Sequence, residues 1–291
     1  MSSTAISHTP TGPAPVTDTT MVTQGRSRAG AAARYHTSFM RTLNSEWIKV
    51  RSLRSTWVTF AATIAIMVLI TLAASWGQRS DRGGDMPTSP SAQMLIVSFV
   101  FAQMSVAVLG ALTITGEHST GMIRSTFAAC PSRLPALWAK TLVTVGWTVV
   151  VAAVGLLAST GVAYLVLNPV HLMPSLSEGT TWRILGAFVL YLVLVAIVSL
   201  GVGTMIRSSA GSIFTLVGLL FILYIVAQMI NLQWVHDMAR ALPMNLGMSM
   251  MTPSSDIASG DFTPLGALLA MIAWAVVAQV GAAILMKRRD A

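Results

Sequence analysis

The 291-residue chain is 54% hydrophobic and only 10% charged, with a net charge of +8 and a single cysteine. That imbalance exceeds what a soluble domain needs for its core and points to a bilayer. Cys130 alone excludes an intramolecular disulfide and, with no ligand cluster beside it, a zinc site; the bases lie next to apolar runs rather than on a soluble face, so no nucleic-acid partner is expected.

Residues 1–35 are rich in Ser, Thr, Pro, Gly and Ala and contain no signal-peptide-like apolar stretch, so they read as a disordered cytoplasmic tail ahead of one domain over residues 36–291. In "FMRTLNSEWIKVRSLRS", Phe39, Leu43, Trp47 and Val50 fall on one helical face and Arg41, Ser45 and Lys49 on the other, with Arg51 adding a further base. This predicts an amphipathic helix in the membrane interface with Trp47 as its anchor and lipid as its partner; a plain extension of the first span is the alternative.

Crossing about 30 Å of hydrocarbon takes about 20 apolar residues in a helix. Six stretches qualify: Trp57 to Trp76, Met94 to Thr115, Thr141 to Leu167, Ile184 to Ile206, Ile213 to Ile230 and Pro264 to Met286. The predicted fold class is therefore an all-α membrane protein of six transmembrane helices. Fourteen of the 18 Lys and Arg residues fall on the side of the termini and four, Arg79, Arg82, Arg183 and Arg240, on the other. Basic residues near span ends are retained in the cytoplasm, which places both termini there and the chain in the plasma membrane.

No Asp, Glu, Lys, Arg or His lies within these six stretches. Carriers driven by ion gradients usually keep such groups in the membrane for the coupling ion, so that mechanism loses its usual machinery. Gln103, Gln228 and Gln279 each need a partner in hydrocarbon, across helices or along a path for substrate. "SSAGSIF", residues 208–214, reads as a helix start rather than a nucleophile turn, and no zinc-binding HExxH sequence occurs. No catalytic residue, metal or cofactor is expected in this chain.

Between the second and third spans, residues 116–140 form a loop too polar for the membrane core, with Glu117, Arg124, Arg133 and Lys140 close together. Met122, Ile123, Thr126 and Phe127 share one helical face, so a short amphipathic helix after Gly121 and ended by Pro131 is predicted, lying across the cytoplasmic mouth. In "PMNLGMSMM", Met244, Met248, Met250 and Met251 cluster in the last outer loop, where an apolar cap on a short re-entrant helix is expected rather than a copper site.

"LNSEWIKVRSLRSTW" before the first span, "GEHSTGMIRSTFAACPSRLPALWAK" after the second, and the six-span layout resemble the permease subunits of type-2 ABC exporters, particularly the bacitracin-export-like group of high-GC Gram-positive bacteria. The resemblance implies that the short helix is a coupling helix docked on a separate nucleotide-binding subunit, with Glu117, Gly121, Arg124, Pro131, Arg133 and Lys140 as its family-type residues. It also implies a homodimer or pairing with a second permease. No GxxxxGK[ST] phosphate loop occurs in the chain, so ATP hydrolysis by that route belongs to a partner. A neutral bundle suits export of an apolar or amphipathic substrate; a secondary carrier of a neutral solute and a non-transporting membrane scaffold are the alternatives.

Overall fold

The computed structural model describes residues 39–80, 95–122, 133–172, 175–253 and 260–288, all within one unit, Phe39–Ala291. Among them every regular element is helical: α1 (Phe39–Ser52), α2 (Arg54–Ser80), α3 (Phe99–Ser119), α4 (Arg133–Leu167), α5 (Gly179–Ile206), α6 (Ser209–Met229), α7 (Gln233–Ala239), α8 (Pro243–Met251) and α9 (Pro264–Arg288). Six of these, α2 to α6 and α9, are long and apolar enough to cross a membrane. The chain is an all-α membrane protein. The predicted tail, residues 1–35, lies outside the described residues.

Most helices outrun the spans expected from hydropathy at one end or both, although α3 starts at Phe99, five residues after the expected Met94, and α6 stops at Met229, one residue short of Ile230. At about 1.5 Å per residue a helix of 35 residues such as α4 reaches some 20 Å beyond the ~30 Å hydrocarbon layer. Its first turns therefore stand in the polar zone, and the charged residues that the apolar stretches lack, Glu117, Lys140 and Arg183 among them, sit in the helix ends. Backbone hydrogen bonding inside a helix has no reason to stop where hydropathy does.

The bundle is built around α5, the most buried span, with α3, α4 and α9 packed on it. Lipid offers no hydrophobic drive between helices, so association depends on close packing. A Cβ at Gly201 would lie 2.8 Å from the Ala278 backbone of α9, and one at Gly110 of α3 would lie 2.8 Å from the Ala196 carbonyl of α5. Glycine is what lets these helices touch. Two buried amides cross the same seams: Gln103 accepts from the Tyr191 hydroxyl, joining α3 to α5, and Gln279 donates to the Ile197 carbonyl at 3.0 Å, joining α9 to α5.

Ser208 precedes α6 as its N-cap, accepting from the Gly211 N–H at 3.3 Å, so "SSAGSIF" is a helix start. Within α6 the α-helical ladder gives way to a π turn over Gly218–Ile222. At the opposite end from α1, α7 and α8 form a short helical pair between α6 and α9. Met244, Met250 and Met251 of α8 are buried in the main core beside Tyr191, the apolar cap that the cluster of methionines implied. Arg183 on α5 closes this end, donating to the Met250 and Thr252 carbonyls at 3.4 and 2.9 Å, where a cation meets the negative end of α8.

Candidate functional site

Two acids and two bases meet where α1, the end of α3 and the start of α4 come together. Lys140 donates to Glu46 Oε2 at 2.6 Å, to Glu117 Oε1 at 2.9 Å and to the Thr113 carbonyl at 3.2 Å, which uses all three ammonium hydrogens. Lys49 reaches Glu46 Oε1 at 2.6 Å and Glu117 Oε1 at 3.0 Å. The four side chains thus close a ring in which every neighbour has the opposite sign. Glu46, Glu117 and Lys140 are 2%, 4% and 6% exposed, and Lys49 covers the open side.

Charges removed from water this far are tolerated only as a neutral, hydrogen-bonded group, which two acids against two bases supply. Burial pushes the Glu46 carboxyl upward, but Lys140 and then Lys49 outweigh it and hold the group below the ordinary carboxylate range. For Lys49 burial works downward and is outweighed by Glu46 and Glu117, so its ammonium is held above the usual lysine value. One oxygen remains: Glu117 Oε2 is buried with no hydrogen-bond partner among the described residues.

Beside the ring lies an aromatic cluster. The Trp147 ring of α4 meets Trp57 at 5.3 Å, Phe60 at 5.5 Å and Trp47 at 6.3 Å, the two tryptophans edge-on. Edge-to-face pairs at these separations add to burial. Trp57 also donates to the Arg51 carbonyl at 2.9 Å, bracing the bend between α1 and α2. Salt ring and aromatic cluster together fasten α1 along α4.

The structure changes the expected place of Lys49 on α1. The inward arc is Thr42, Leu43, Glu46, Lys49 and Val50, while Phe39, Met40, Trp47 and Ile48 are exposed beside Arg41 and Arg51. Lys49, expected on the solvated face, points inward because two carboxylates wait there. Glu46 was not foreseen. Its signal was present: it is the one acid among Arg41, Lys49, Arg51 and Arg54, three residues after Leu43 and four before Val50.

The loop expected over residues 116–140 is shorter, since α3 runs to Ser119 and α4 begins at Arg133. Glu117 and Lys140 are helical residues at its two feet, turned into the molecule. Gly121 ends α3 with φ 72°, the left-handed conformation that suits glycine, and its N–H donates to the His118 carbonyl at 3.3 Å. Arg133 opens α4. Of the predicted short helix only Met122, helical and exposed, is described; Arg124, Pro131 and the rest of it lie outside the described residues. Gln228, the third membrane glutamine, is exposed at the end of α6 and borders a polar cavity with α7 and α8.

Residues 42–239, about two thirds of the chain, match the family described as ABC-2 family transporter protein, and the chain belongs to that family. It is a multi-pass membrane permease of an ABC transporter, the kind of transport component that pairs with an ABC ATPase subunit. The matched stretch begins inside α1 and takes in the whole salt ring. No curated protein matches the chain.

Proposed function

We propose that the chain is half of the membrane domain of an exporter of the bacitracin-export-like group, with both termini in the cytoplasm of a cell-membrane complex. Hydrolysis in a separate ATPase subunit drives an apolar or amphipathic substrate outward, and a second copy or a second permease completes the pathway. Residues 120–133 are the docking segment, with Gly121, Arg124, Pro131 and Arg133 as its family-type residues. The observation that carries this reading is the salt ring: Glu117 and Lys140 hold the two feet of that segment and bind both to α1. A push on the segment then reaches three helices at once instead of bending one loop. An ion-gradient carrier is less well supported, since these titratable groups sit at helix ends and neutralise one another.

The test is reconstitution in inverted vesicles with and without its ABC ATPase subunit. ATP-dependent accumulation of a fluorescent amphiphile is expected only with both subunits. Arg124→Glu should insert normally and abolish coupling. Accumulation without the ATPase, or an Arg124→Glu variant that couples as the parent does, would overturn the proposal.

A further inference from the structure

At the end opposite α1, the last turn of α6, the helices α7 and α8 and Asp261 ahead of α9 line an open-sided cavity of about 470 Å³. Its size lies within the range of small-molecule sites, about 300–1,000 Å³. Its walls are polar although nearly all of the bundle is not. Gln228, Gln233, His236 and Ser249 line it with no hydrogen-bonding partner among the described residues, and Asn245, which spends its amide N–H on the Ala239 carbonyl at 2.7 Å, keeps its own carbonyl. The set offers donors and acceptors in similar measure.

Charge narrows the ligand. Arg240 in the wall is paired with Asp237 at 3.0 Å and Asp261 at 3.3 Å. Two acids on one base leave no positive field for a phosphate or carboxylate, whose entry would bring like charges together. Gln228 sits on the same turn of α6 as Ile225, Val226 and Met229, all exposed on the membrane-spanning helix. A ligand with its polar part in the cavity therefore has an apolar path for a chain beside it.

We propose that this cavity binds the uncharged, hydroxyl- or amide-rich headgroup of an amphiphile whose tail lies along α6. The inference rests on the exporter reading only in treating such an amphiphile as cargo, and its test uses neither ATP nor the ATPase. The chain in nanodiscs is irradiated with octyl glucoside carrying a diazirine on the sugar, and with octyl phosphate carrying the diazirine beside the phosphate. Adducts are mapped by mass spectrometry. The glucoside should label α7 and α8, and labelling there should fall at least fivefold in Ser249→Trp, which fills the cavity, and in Gln233→Leu, whose exposed site leaves the core untouched. The phosphate should label this region no more than it labels the lipid-facing side of α9. Equal labelling by both probes, labelling unchanged in both variants, or no adduct in α7 and α8 would each overturn the proposal. Such a result leaves ATP-driven export standing, just as failed export leaves the adduct map standing.

Discussion

Glu46 shows how one side chain decides the placement of a helix. Removing a single member of a buried, paired group strands its partner and costs about 3–5 kcal/mol, whereas removing both members of a pair costs far less. Glu46→Met and Lys140→Met should each lower the thermal midpoint of the detergent-solubilised chain, and the double variant should be more stable than either, because Lys49 and Glu117 remain a neutral pair. A double variant that merely sums the two losses would mean the ring carries no coupling. The ring also has a defined pH window. The lowered Glu46 carboxyl contributes stability present above about pH 4.5 and lost as pH falls through its folded value; the raised Lys49 contributes below about pH 10.5 and is lost as pH rises through its own. Tryptophan fluorescence from the Trp47, Trp57 and Trp147 cluster should stay flat across neutral pH and shift only at the acid and alkaline ends. A transition near pH 7 would contradict the pairing.

For whole helices, seams made by glycine should be the least forgiving. Gly201→Leu places a branched side chain where a single Cβ already meets the α9 backbone, and overpacking of this kind costs about 1–3 kcal/mol or more. Folded yield and thermal midpoint should both fall, while Gly186→Leu on the same helix, where a Cβ meets nothing within 4 Å, should change neither. Arg183→Ala tests the far end. It removes the cation from the α8 carbonyls, so amide exchange in α8 should quicken severalfold while that in α5 stays slow, consistent with about 1–2 kcal/mol for a favourable charge at a helix end. Unchanged exchange in α8 would mean that its packed methionines alone hold it.

For the whole molecule, the arrangement separates an end that fastens helices together by charge from an end that carries a polar cavity. The first joins α1, α3 and α4 across chain separations of 94 and 23 residues. Tags at the two termini should both be inaccessible to a membrane-impermeant reagent in intact cells, as the distribution of basic residues requires. Labelling of either terminus from outside would reverse the orientation and exchange the roles proposed for the two ends.

Six spans, their order, and the absence of charge in their middles were legible in the amino-acid sequence, because burial in hydrocarbon is a property each segment satisfies by its own length and composition. The methionine cap and the helix start at Ser208 were legible for the same reason: their cues are local. Where each helix ends was not, since an α-helix continues into the polar zone as long as its own backbone bonds are made. Nor was the inward arc of α1: its periodicity marked out a face for lipid and left Lys49 among the solvated bases, with no sign of the carboxylates that draw it inward. Glu117 and Lys140 looked like parts of a loop, yet each is turned inward by partners distant along the chain. A charge is buried only when opposite charges arrive from other segments to neutralise it, and that is decided by the tertiary structure alone.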